Sequence, residues 1–133
     1  MTAPHPTYRF STGNPYEARF GYSRAVRRGP FICVSGTTSI SAESGEIQHP
    51  DNAFDQATVI FAEILRAVEA LGGAKEDIIR VRMFVTRHED TDDVGRALRL
   101  AFANSGPAAT MIVGSRFIEE AMKVEIEADA IVT

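Results

Sequence analysis

The chain has 133 residues, a formal net charge of −4 and a single cysteine. That length supports one hydrophobic core without metals or disulfides and predicts a single domain over residues 1–133. The acidic balance argues against a surface that coats nucleic acid, which needs basic residues to release counterions from phosphates.

The first seven residues carry Pro4 and Pro6 in a polar setting and read as a loose lead-in to a short strand around Tyr8 to Ser11. They show neither the cationic nor the apolar region of a secretory signal. Asn14-Pro15 marks a turn. From Glu17 to Arg28 the alternation predicts a long strand, with Phe20, Tyr22, Arg24 and Val26 on one face and Gly21, Ser23, Ala25 and Arg27 on the other. Phe31 to Ser35 is almost wholly apolar, the pattern of a strand covered on both faces, and Gly36 ends it. Within it Cys33 has no intrachain disulfide partner, which points to a reducing compartment, the cytoplasm. Ile40 to Ile47, with Ser44-Gly45 inside it, reads as a short hairpin.

Asp51 or Asn52 caps a helix whose apolar side runs through Phe54, Ala57, Phe61, Ile64, Leu65, Val68 and Leu71 and which stops at Gly72-Gly73. Ile79 to Thr86 alternates as a strand, with Ile79, Val81, Met83 and Val85 facing one way and Arg80, Arg82, Phe84 and Thr86 the other. A second helix, capped by Thr91 or Asp92, runs to about Asn104 with Val94, Leu98, Ala101 and Phe102 inward, and Gly106-Pro107 stops it. Two strands close the chain, Ala108 to Val113 and Val124 to Val132, connected through residues 114–122. In the last one, Val124, Ile126, Ala128, Ala130 and Val132 share a face, and Glu125, Glu127 and Asp129 project from the other. Carboxylates in a row are either a solvated face or the lining of a polar cleft or subunit interface, where one serves as acid or base. No apolar run approaches the ~20 residues that span a bilayer, so the reading is a soluble protein with no membrane partner.

This order predicts an α+β fold, two helices on one face of a mixed sheet. The opposite face would gather Arg80, Arg82, Glu125, Glu127 and Asp129 with Phe20, Tyr22 and Phe84, a mixture suited to a subunit interface, and a closed homo-oligomer is expected. His5, His49 and His88 lie far apart without ligand spacing, so no metal is expected. SGTTS at 35–39 lacks the length and lysine of a phosphate loop. Ser35, Ser39 and Ser115 stand in no His/Asp signature of a serine nucleophile.

Several stretches fit one known pattern together: GYSRAVRRGPFICVSGTT at 21–38, D-x-x-F-D-Q-A at 51–57, GAKEDIIRVRMFVT at 73–86, GPAAT at 106–110 and VEIEADA at 124–130. From about Gly13 onward the chain resembles the RidA/YjgF family of reactive-intermediate deaminases, whose members also carry the names translation inhibitor and L-PSP endoribonuclease. The resemblance implies a chorismate-mutase-like α+β fold and a homotrimer whose sheets pack into a central barrel, with clefts between subunits. Active members hydrolyse 2-imino acids or their enamine tautomers without a cofactor. By the resemblance Glu125 handles water or the imine proton, Tyr22 lines the cleft, and Ser35 and Gly36 border it. Ala109, in Pro107-Ala108-Ala109-Thr110, stands where deaminating members carry the arginine that clamps the substrate carboxylate. Thr110 and Met111 follow it among the substrate-binding positions, and Met111 narrows the pocket. Arg24 either brings a charge to the cleft in place of that arginine or pairs between subunits with Glu127 or Asp129, while Arg80, Arg82 and Arg116 are further candidates.

Three functions stay open on these residues. One is an imine or enamine hydrolase with Glu125 positioning water and Arg24 orienting an acid group. Another is a trimer that binds a small metabolite, with or without a carboxylate, and does not turn it over. The third, a ribonuclease or translation inhibitor, has the least support, because neither a basic groove nor a histidine pair is evident.

Overall fold

The structure, a computed structural model, describes residues 6–133. Most of the expected lead-in, His5 included, lies outside the described residues. Six strands form one sheet: β1 (Thr7–Phe10), β2 (Ala25–Arg28), β3 (Phe31–Thr37), β4 (Ile78–Val85), β5 (Ala108–Val113) and β6 (Val124–Ile131). Their spatial order is β1-β2-β3-β6-β4-β5, with β4 and β5 parallel and the other neighbours antiparallel. Three helices, α1 (Pro15–Phe20), α2 (Ala53–Ala70) and α3 (Thr91–Phe102), complete the α+β architecture.

The last strand sets the sheet's two faces. Val124, Ile126, Ala128 and Ala130 are buried, and the alternate residues Glu125, Glu127 and Asp129 are half-buried on the other side. Full burial of an Ile or Val side chain is worth about 1.5–3 kcal/mol, so a slip of one residue would expose the apolar set and is strongly disfavoured. Onto this face α2 packs Ile60, Ile64 and Val68, all fully buried, against Ile32 of β3, Val81 and Val85 of β4 and Ile126. Asn52 starts α2 by accepting a hydrogen bond from the Asp55 amide at 2.9 Å. Phe61 of α2 meets Phe102 of α3 edge to face, centroids 5.6 Å apart, and brings α3 onto the same layer. The 40–47 hairpin is present as an Ile40–Ile47 bridge.

The long strand expected over 17–28 is not there. Its second half alone, Ala25–Arg28, is β2, and the stretch before it is α1. The Asn14 side chain accepts from the Tyr16 amide at 2.8 Å, and Pro15, with its backbone torsion preset, opens the helix. Gly21, at φ 75°, ends it by entering the left-handed region, where its N–H donates to the Glu17 carbonyl at 2.9 Å. Phe20 and Tyr22 therefore stand beyond the end of β2 and not among the strand side chains of the open sheet face.

Two smaller expectations change for local reasons. A register shift between Ile78 and Arg80 turns Ile78 inward and leaves Ile79 exposed. In β3, Ile32 and Val34 are buried while Phe31 and Cys33 are exposed, so within one chain this strand is covered on one face only. On that open face Arg82 Nη1 reaches Asp129 Oδ2 at 3.2 Å and Glu127 Oε1 at 3.5 Å.

Candidate functional site

A cleft of about 150 Å³ opens where α1, the 21–24 turn, the bulge of β3 and the first residues of β6 meet the segment 115–122. Glu125, Gly36, Tyr22 and Arg24 form one part of its lining. Tyr16, Phe20, Ile118 and Met122 form another, largely apolar part.

Arg24 is 3% exposed at its side chain, and its position is set by its own hydrogen bonds. Nε donates to Glu17 Oε2 at 3.2 Å, Nη1 to the Gly36 carbonyl at 2.6 Å and Thr37 Oγ1 at 3.1 Å, and Nη2 to the Tyr22 hydroxyl at 3.2 Å. The guanidinium carbon also lies 5.5 Å from the Tyr22 ring centroid. Glu17, equally buried, accepts from the Thr12 amide at 3.0 Å and the Thr12 hydroxyl at 2.6 Å. One buried ion pair thus fixes α1, the β3 bulge and Tyr22 relative to each other. The intersubunit pairing of Arg24 with Glu127 or Asp129 gives way to this pair within the chain.

The bulge brings Gly36 against Glu125. The register of β3 on β6 shifts between Val34 and Thr37, and a Cβ on Gly36 would lie 2.9 Å from Glu125 Oε2. Only a hydrogen there lets the carboxylate sit so close. Burial pushes the Glu125 carboxyl above its usual range; the Arg24 charge pulls it down and the Glu127 charge adds to the rise. Among the described residues no protein group donates a hydrogen bond to this carboxylate. Gly36→Ala is expected to displace the carboxylate and weaken by about 10- to 100-fold whatever the cleft does through Glu125, binding or turnover. Because the obstacle is the end of a flexible side chain, the melting temperature should barely move; steady-state kinetics beside a thermal melt checks both.

The opposite wall is held separately. The Tyr16 hydroxyl donates to Glu119 Oε2 at 2.5 Å, and this bond raises the Tyr16 pKa above the ordinary value. Tyr16 also stacks on Phe20, with centroids 6.0 Å apart. Fully buried Gln56 donates to the Ala121 carbonyl at 2.8 Å and accepts from the Lys123 amide at 2.9 Å, which ties the chain just before Glu125 to α2.

Of the residues singled out in the sequence, Glu125, Tyr22, Arg24 and Gly36 come together here. Ser35 does not line the cleft; its hydroxyl donates to the Ser23 carbonyl at 2.7 Å and joins two chain segments. Ala109, Thr110 and Met111 lie on β5, opposite Val81, Arg82 and Met83 of β4, with β4 between them and Glu125. Within one chain they do not reach the cleft. Glu17, Tyr16 and Glu119 were missed. For Glu17 a signal existed: Asn14 followed three residues later by a glutamate is the spacing of a capping box.

A wider hollow of about 450 Å³ lies between α2 and the 40–47 hairpin and shares Asn14, Arg24 and Thr38 with the cleft, but not Glu125. Among the described residues no cluster of three or more His, Cys, Asp or Glu side chains could hold a metal ion, and no helix is long and apolar enough to cross a membrane.

The family model of endoribonuclease L-PSP matches residues 12–132. A crystal structure from Mycobacterium tuberculosis, that of Rv2704 of the YjgF/YER057c/UK114 family, superposes with a TM-score of 0.85 at 32% identity over 96% of this chain and 100% of that one. An uncharacterised protein of Streptomyces coelicolor is 31% identical over 92% of this chain and 90% of its own length. The 2-iminobutanoate/2-iminopropanoate deaminase of Dermatophagoides farinae is 26% identical over 84% of this chain and 85% of its own.

Proposed function

This chain belongs to the endoribonuclease L-PSP family, the RidA/YjgF proteins, and from that premise we propose that it hydrolyses a small imine or enamine, without a cofactor, in clefts between the subunits of a homotrimer. The observation that carries the reading is Glu125: a carboxylate with raised proton affinity, free of protein donors among the described residues, pressed against Gly36 beside Tyr22.

Glu125 accepts a proton from water as the water oxygen bonds to the imine carbon and the C=N pair moves to nitrogen. The same carboxyl then returns that proton to nitrogen. Glu125 next takes the hydroxyl proton of the carbinolamine and passes it to the amino nitrogen, the C–N bond breaks with its electron pair going to nitrogen, and ammonia leaves as the carbonyl forms. An enamine enters this sequence after protonation at carbon, for which a carboxyl of raised pKa is suited. Arg24 builds the wall and holds Tyr22 in place, since most of its donors are already engaged. Support for a second copy comes from the open sheet face, where exposed Phe31 and Cys33 of β3, the latter paired with Asp129, share the sheet side of the Arg82–Glu127–Asp129 group, a combination that suits an interface better than solvent. Completing the cleft with a second copy is also the route by which β5, with Ala109, Thr110 and Met111, would border substrate.

The test generates imines in place with flavin-dependent amino-acid and amine oxidases while semicarbazide traps them. Added protein is expected to divert imine from the trap in proportion to its concentration. Saturable binding of carbonyl products with no diversion of any imine would replace the hydrolase with a metabolite-binding trimer. RNA cleavage that persists in Glu125→Ala would favour the ribonuclease reading.

A further inference from the structure

We infer that the substrate of this cleft carries an apolar group and no carboxylate: a neutral imine or enamine derived from a simple amine, as opposed to a 2-imino acid. The inference refines the hydrolase reading given above and rests on the same cleft. Its ground is the state of Arg24, the one guanidinium that the described residues of this chain bring to the lining. A carboxylate clamp needs a cation with two parallel N–H donors facing the ligand and its charge uncompensated. Arg24 offers neither. Of the five donors an arginine has, four are engaged by Glu17, Gly36, Thr37 and Tyr22, which leaves one N–H on Nη2.

The charge of Arg24 is likewise taken up. Glu17, with its side chain 5% exposed, forms a buried ion pair with Arg24, so solvent screens their attraction little. On the ligand's side stand Glu125 and, behind Tyr16, Glu119. A ligand carboxylate entering here would be desolvated beside Glu125 with one lone donor to compensate it, a costly arrangement. A neutral imine, or the iminium it becomes on protonation, meets no such penalty.

An independent observation concerns the rest of the wall. Phe20 and Ile118 are 55% and 57% exposed although they flank the cleft beside Tyr16 and buried Met122. Apolar side chains left open at a cleft mouth gain by covering an apolar group of the ligand, each CH₂ being worth about 0.8 kcal/mol.

The experiment uses pairs that differ only in the carboxylate. Imines made from phenethylamine and from phenylalanine, and from propylamine and 2-aminobutanoate, are compared for protein-dependent hydrolysis. Binding of unreactive phenylacetamide and phenylacetate is followed by NMR titration. The wild-type protein is expected to favour the carboxylate-free member at least tenfold in kcat/KM and in affinity. Glu17→Gln, which removes the compensating charge, should raise phenylacetate affinity and narrow the gap. Preference for the imino acid, equal binding of the two acetyl compounds, or binding of neither overturns the inference. Turnover that favours the imino acids would leave the hydrolase intact while sinking this inference. Preferential binding of the amide with no turnover of any imine would do the reverse.

Discussion

Glu125→Gln is expected to lower kcat/KM for imine hydrolysis by about 10²- to 10⁴-fold, the range of a lost general acid–base group, while the fold persists. Glutamine keeps the volume of the side chain and its approach to Gly36 but can neither accept the water proton nor return it to nitrogen. The pH profile separates this role from mere packing. Burial raises the Glu125 pKa above its ordinary value of 4.5, so the base form, and with it the rate, should rise with pH through a titration displaced upward from 4.5. That limb should vanish in Glu125→Gln. An unchanged rate, or a variant that keeps the limb, would remove Glu125 from the chemistry.

The same shift predicts a stability effect of opposite sign. A carboxyl whose folded-state pKa is raised binds its proton more tightly folded than unfolded, so ionising it costs stability. The cost is absent below 4.5, the ordinary value, where the group is neutral in both states; it grows as pH rises through the folded-state pKa and is constant above it. Glu125→Gln should therefore melt higher than the wild type near neutral pH, with the difference shrinking as pH falls from the folded-state pKa towards 4.5 and gone below it. Lost activity together with gained stability is what a strained, functional carboxylate predicts.

What the sequence revealed follows from which interactions are periodic. β6 and β4 alternate because one face is buried, and α2 carries a wide apolar side with an Asn cap and a glycine stop, so these elements could be read from residues alone. The segment 17–28 also alternates, but there the period arises by chance from a short helix, a left-handed glycine and a strand in succession. The Asn14 cap, Pro15 in the first turn and the Glu17 bonds to Thr12 outweighed the pattern. Glu125 was legible as one of three carboxylates on a strand with a buried face; Gly36 was legible only as a strand end, and its place bordering the cleft came from the family resemblance. That Arg24 would be consumed by Glu17 was not, since their pairing needs α1 to fold back across the end of β2. Ala109, Thr110 and Met111 lie on the edge strand β5, with β4 between them and the cleft, and their place among the substrate-binding positions came from the family resemblance and not from periodicity.

The Arg24–Glu17 pair also makes the strongest stability prediction. Arg24→Leu should destabilise the protein by about 3–5 kcal/mol, the usual cost of removing one partner from a buried ion pair, as measured by denaturant unfolding at fixed protein concentration. Glu17 would be left 4% exposed with only its Thr12 donors, and the carbonyl of Gly36 would lose a 2.6 Å charge-assisted bond. Replacing both partners, as Glu17→Leu with Arg24→Leu, should recover part of this loss, because no buried charge then lacks a counterpart. Recovery should stop short of the wild type, because the Thr12 amide and the Gly36 carbonyl would still lack their partners. The double-mutant cycle therefore measures a coupling energy of opposite sign to the single losses. Strictly additive losses would mean that the two charges act independently, and Arg24 would then be available to a ligand carboxylate after all.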